Sequence, residues 1–244
     1  MRRLPTTPVS LVRLIKTMLI AYPVLLPRII GLVALSSLGH LIIPPLFTYN
    51  HTFAAVAAVG FVLLTWFLYT AILCRANIAL LGGSLALPAA FRLSRQRYLS
   101  VLGSNLIFLA IGTLIFLLEF ALNLAFDLFK LHPISLLVSV VINISIFIYC
   151  YFAIPEIALE HIPIIGAFRR SLRLVRHHWW RTFIVLALIG GAMLGVEALG
   201  ILFTGKNRML LFTGYHFLIQ LVFYPLIIAA TVVLLNDLKL RHTG

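Results

Sequence analysis

Acidic side chains are scarce in this chain: six Asp and Glu stand against nineteen Lys and Arg in 244 residues, and only 10% of residues carry a charge. A water-soluble domain charges about a quarter of its residues, so there is too little polar surface here to clothe one. Cysteine is scarcer still. Cys74 and Cys150 both fall inside apolar stretches and supply no disulfide framework. Signature loops are missing as well. The chain has no Walker loop, dinucleotide fingerprint, His-Glu-x-x-His or Cys-x-x-Cys motif, and no Gly-x-Ser-x-Gly elbow. His177-His178 has no further His or Cys at ligand spacing. The expectation is a protein with no cofactor, no metal and no catalytic site.

Apolar residues fill the chain instead, at 62% and a mean hydropathy of +1.11. That composition belongs to an integral membrane protein. At about 20 residues per spanning helix, six spans and their connections use up the length, so residues 1–244 form a single integral membrane domain of all-α class. The apolar runs place the spans at about Pro27 to Pro45, Phe53 to Leu81, Leu99 to Asn123, Ile134 to Leu159, Trp180 to Phe203 and Met209 to Leu235. A short polar tail, Asn236 to His242, follows the last of them.

Three basic amphipathic segments, Ser10–Leu19, Pro88–Tyr98 and Phe168–Arg181, precede the odd-numbered spans and predict helices lying on a membrane surface. The third is the most pronounced. Phe168, Leu172 and Val175 recur at helical spacing, Arg169, Arg170, Arg173 and Arg176 fill the other faces, and Trp179 and Trp180 fall where an aromatic belt marks the headgroup level. Counting Lys and Arg by side assigns sixteen to the side of the N-terminus and three, Lys130, Lys206 and Arg208, to the other. That asymmetry predicts that both termini and all three basic segments are cytoplasmic. The net charge of +13 is interleaved with apolar helix faces instead of forming a solvated patch, so the expected partners are anionic lipid headgroups and not nucleic acid. Arg92, Arg95 and Arg97 of the second segment join the four arginines and two tryptophans of the third as candidate headgroup contacts. A protein partner in the membrane is a further expectation.

Arg13, Arg92 and Arg169 stand 79 and 77 residues apart. This spacing predicts a threefold repeat with units of about 8–82, 84–160 and 162–238, each a surface helix followed by a helical hairpin. Ile78-Ala79-Leu80 matches Ile157-Ala158-Leu159, and Ala90-Phe91-Arg92 with Ser94 matches Ala167-Phe168-Arg169 with Ser171.

Ionisable groups at membrane depth cost roughly 2.5 to 3.5 kcal/mol each to insert, so each needs a reason. Glu156 and Glu160 are four apart at the inward end of the fourth span, hence on one face, next to the arginines of the third basic segment. They predict a salt bridge that pins this elbow; a proton or cation site on the same face is the alternative. His40, Glu119 and Glu197 recur at intervals of 79 and 78, equivalent positions in the repeat. Two outcomes follow: convergence on one polar cavity, or three side chains reaching water at the outer boundary. Gly191-Ala192-Met193-Leu194-Gly195 is a small-xxx-small pattern that permits close helix approach.

The block Ala153-Ile154-Pro155-Glu156-Ile157-Ala158-Leu159-Glu160, followed by Gly166 to Arg181, resembles the motif of the uncharacterised bacterial YciC-like inner-membrane proteins and of the membrane domain fused to some glycerophosphodiester phosphodiesterases. Pro155, Glu160, Arg170, Ser171, Leu174 and Trp180 match it. The resemblance implies a six-helix bacterial inner-membrane protein whose molecular activity is not established; Pro155, Glu156, Glu160 and Ser171 are the residues expected at the structural elbow. The hydrolytic domain of those phosphodiesterases has no counterpart in these residues. The expected role is to bind or organise anionic lipid or to serve as the membrane subunit of an envelope assembly, with a small transporter using intramembrane carboxylates second and a membrane-embedded lipid enzyme third.

Overall fold

The computed structural model describes residues 4–128, 132–204 and 209–243. The described residues form eight helices: α1 (Leu11–Tyr49), α2 (His51–Leu80), α3 (Leu87–Leu128), α4 (His132–Cys150), α5 (Ala153–Glu160), α6 (Ile164–Arg176), α7 (Trp179–Thr204) and α8 (Met209–Thr243). Among the described residues there is no strand. Six segments are long and apolar enough to cross a membrane: Leu11–Phe47, His51–Leu80, Leu87–Ala121, Leu137–Glu160, Trp179–Gly200 and Thr213–His242. The molecule is an all-α protein of six membrane-spanning helices. In hydrocarbon a helix is the way a lone span satisfies its own backbone, and this favours unbroken helices over loops at depth.

That pressure explains where the helices outrun the sequence expectations. Pro44-Pro45 was expected to end the first span, yet α1 continues to Tyr49 with Pro23, Pro27, Pro44 and Pro45 all inside it. It stops at Asn50, whose extended backbone turns the chain and whose side chain accepts the Phe53 N–H at 3.0 Å to start α2. The first two basic segments are likewise not separate surface helices. They form the opening turns of α1 and α3, because no helix-terminating turn divides them from the spans that follow. Only the third stands alone, as α6, closed off by a turn at His177-His178. The polar tail is also helical, since Leu234, Leu235 and Leu238 continue the buried face of α8. The turn over 205–208 lies outside the described residues, with Lys206 and Arg208, as does Lys130.

The fourth span is broken. Tyr151 and Phe152 form a turn between α4 and α5, and the cause is Pro155, which has no N–H to give to the Tyr151 carbonyl four residues back. α5 ends at His161 in the left-handed conformation (φ 57°), leading through Ile162-Pro163 into α6.

Helix α1 packs along α8 and α2, α2 packs on α3, and α7 on α8, with α5 and α6 tucked against α3, α4 and α8. Fully buried Leu14, Leu25, Ile29, Leu68, Ile72, Phe152 and Leu234 place the tightest core in the half of the bundle near the basic segments. In the opposite half α3 and α7 turn Leu109, Phe116, Phe120, Leu194 and Leu199 outward, towards lipid in a membrane. Close helix approach occurs at Gly39 against Phe61 and at Gly200 against Tyr215, where a Cβ would strike the ring. Gly191 and Gly195 face open space, so among the described residues the small-xxx-small pattern packs against nothing.

Candidate functional site

The elbow is assembled from the helix break outward. Ser171 on α6 is buried. Its hydroxyl accepts the Phe152 N–H at 3.2 Å and donates to the Tyr149 carbonyl at 2.7 Å, supplying partners that the interrupted helix cannot. One residue beyond Pro155, Glu156 is fully buried, with its carboxylate 3.0 Å from Arg170 Nε and 2.9 Å from Lys239 Nζ. Lys239 also reaches Glu160 at 2.8 Å. These contacts join charge to charge, with no donor hydrogen aligned on either Glu156 oxygen. The salt bridge expected at the elbow is therefore present with Arg170. Lys239, which the sequence places in a short polar tail, is the member that local sequence signals do not reveal.

A second charge cluster lies beside it on α8. Asp237 is fully buried between Arg181 Nε and Arg241 Nε, each at 3.0 Å, and accepts the Val9 N–H at 3.0 Å. Arg181 and Arg241 both donate to the Val9 carbonyl, the former at 2.6 Å, and Asn236 donates to the Pro5 carbonyl at 3.0 Å. Together they strap the extended segment before α1 to the end of α8, burying Leu4 and Val9. Beside this strap His178 is held below its ordinary pKa, first by burial, then by the positive charge of Arg241 and Arg181, with Asp237 acting in the opposite sense.

The candidate headgroup arginines divide into two groups. Arg97 donates to the Ala158 carbonyl and to Cys74 Sγ, and Arg170 is spent on Glu156. Arg92, Arg95, Arg169, Arg173 and Arg176 are different: they are exposed, and among the described residues no carboxylate pairs with them. The buried stripe of α6 keeps the expected Val175 but is completed by Ala167, Ser171 and Leu174 in place of Phe168 and Leu172, because the helix rolls to carry Ser171 into the break. Leu172 is consequently 44% exposed and Ile165 65%, both among the free arginines. Phe168 packs on Phe108 of α3 with ring centroids 5.2 Å apart. The tryptophans also separate. Trp179 stacks on Phe183 (5.3 Å, 9° between planes), whereas Trp180 is 69% exposed.

Towards the far ends of the spans, the three residues of the proposed polar cavity do not converge. His216 of α8 lies 3.2 Å from Glu197 of α7 through Nδ1, and its ring centroid is 5.2 Å from that of His40 on α1. Glu119 of α3 instead accepts a hydrogen bond from Asn143 of α4. His216 was overlooked because the repeat alignment compared odd spans, and α8 is an even one. Among the described residues no group of three metal-ligating side chains is assembled.

Six apolar spans with buried charge confined to the ion-paired ends define a multi-pass membrane protein. The profile of a family described as a domain of unknown function (DUF7847) matches residues 14–236, and the chain belongs to that family. No curated protein and no solved structure matches it.

Proposed function

We propose that this protein binds and organises anionic lipid at the cytoplasmic face of a bacterial inner membrane, without catalysing a reaction. One observation carries the reading: the carboxylates beside α6 are consumed by Arg170, Arg181, Arg241 and Lys239, while Arg169, Arg173 and Arg176 stay exposed beside outward-facing Leu172 and Trp180. Charge with apolar side chains interspersed is what a headgroup with its first methylenes demands. Each basic side chain at such a surface contributes about 1 kcal/mol. The sixteen-to-three distribution of Lys and Arg supports the cytoplasmic assignment.

The test is native mass spectrometry of the protein extracted in mild detergent. Wild type should retain phosphatidylglycerol in preference to phosphatidylcholine, and Arg169→Gln with Arg173→Gln and Arg176→Gln should lose that preference. Equal retention by the variant rejects the reading.

A second reading, a small proton-coupled transporter, is favoured by the Glu197–His216–His40 cluster, which brings three titratable groups together towards the far ends of the spans. It requires proton flux into dye-loaded liposomes that Glu197→Gln abolishes; wild-type vesicles that stay proton-tight reject it.

A further inference from the structure

Between α2, α3, α4 and α8 lies a cavity of about 340 Å³. It opens to the outside of the bundle between the helices, so its occupant is whatever its lining suits. Its walls are Trp66, Phe108, Phe147, Ile154 and the rings of Tyr69 and Tyr224. Of the polar groups at its edge, the Asn105 amide donates to the Val101 carbonyl at 2.9 Å, the Thr65 hydroxyl to the Phe61 carbonyl at 2.9 Å, and the Tyr151 hydroxyl meets Thr231 Oγ1 at 2.7 Å, while the Tyr69 and Tyr224 hydroxyls and the Trp66 indole N–H stand in the lining without a hydrogen bond to the described residues. Most of the lining surface is nevertheless aromatic or aliphatic, which suits an apolar chain better than a cluster of ordered waters. Hydrocarbon fits it.

Two links tie the cavity to the basic helix. Phe108, in the wall, packs on Phe168, the residue before exposed Arg169. Ile154, also in the wall, lies two residues before Glu156, which holds Arg170 of α6. The cavity is partly open, and through the Phe108–Phe168 contact its wall adjoins the helix on which Arg169 and Arg173 stand exposed.

We propose that the cavity takes one alkyl chain of an anionic lipid whose headgroup rests on Arg169 and Arg173. This rests on the lipid reading above and adds to it a seat for the chain. Surface charge alone would recognise a headgroup and leave the chains in bulk membrane; here one chain leaves the bilayer and enters the protein.

Trp66 in the wall supplies the probe. The purified protein in detergent is titrated with phosphatidylglycerol brominated on its acyl chains, a contact quencher of indole. Wild type should show saturable quenching at about one lipid per protein. Trp66→Phe should remove the saturable component, and Thr65→Leu and Ile154→Phe, which fill the cavity by different routes, should each weaken it at least about tenfold in apparent affinity. Brominated phosphatidylcholine should need a concentration higher by about the same factor. Quenching that never saturates, or that survives both filling variants, overturns the chain assignment. Equal quenching by both lipids overturns the anionic headgroup. Arginine-dependent retention of phosphatidylglycerol without quenching of Trp66 leaves the surface reading standing and removes the cavity alone.

Discussion

Lys239 Nζ sits 2.9 Å from the fully buried carboxylate of Glu156, so the last helix of the chain closes the charge of the broken fourth span. Arg170 completes the pair from a third helix. The three helices α5, α6 and α8 thus share one buried ionic centre, and the orientation of α6, with the arginines it exposes, depends on it.

Breaking this centre from one side strands charge in the interior. Glu156→Gln leaves Arg170 and Lys239, both partly exposed, without their buried anion while Lys239 keeps Glu160, and should destabilise the protein by somewhat less than the roughly 3 to 5 kcal/mol of a fully stranded buried charge. Replacing Glu156, Arg170 and Lys239 together by leucine should cost less than Glu156→Gln alone, because no uncompensated charge remains buried. Unfolding midpoints in a denaturant titration of the detergent-solubilised protein check both; a triple variant weaker than the single one contradicts the account.

Ser171→Ala leaves the Phe152 N–H and the Tyr149 carbonyl without their shared partner in a buried place. A buried polar group stripped of its hydrogen bond costs about 1 to 3 kcal/mol, and a loss in that range is expected in the same titration. The penalty should shrink in a Pro155→Ala background, where residue 155 regains an N–H and the helix can close over the break. An undiminished penalty there separates Ser171 from the proline.

The strongest signals in the chain are local. Six spans follow from apolar length, and the Glu156–Arg170 pair follows from two charged segments separated by a short connection. What such signals miss is tertiary. Asp237 and Lys239 read as tail residues, since only the return of α8 to the elbow brings them against Arg181 and Glu156. Amphipathicity marked the first two basic segments as helical but carried no information on whether a turn divides them from their spans. At α6, the apolar stripe was taken from residue type, and a serine won the inward position because a helix break needed a donor and an acceptor there.

His178 adds a pH dependence to the strap. Its folded-state pKa lies below the unfolded value near 6.5, through burial and the facing charges of Arg241 and Arg181, opposed by Asp237. The unfolded chain therefore takes up the proton first, so the stabilisation is complete above about pH 6.5 and is lost as pH falls through the lowered folded value. The thermal midpoint should drop between pH 7.5 and pH 5, and His178→Gln should reduce that drop. An identical pH profile for the variant assigns the acid sensitivity elsewhere.

The arginines provide the most discriminating comparison, because residues of the same type are expected to fail in opposite ways. Arg97 and Arg170 are bound into the fold, so Arg97→Gln and Arg170→Gln should lower the unfolding midpoint; for Arg170 the loss approaches that of Glu156→Gln, since the same buried carboxylate is left short of a partner. Arg169 and Arg173 touch no carboxylate of the described chain, so Arg169→Gln and Arg173→Gln should leave the unfolding midpoint of delipidated protein within about 0.5 kcal/mol of wild type. Their loss should appear instead in the stabilisation conferred by added phosphatidylglycerol, which scales with lipid concentration over its dissociation constant. A shift in midpoint with added lipid that is the same in wild type and Arg169→Gln/Arg173→Gln protein would mean that these two guanidinium groups, exposed as they are, contact no headgroup.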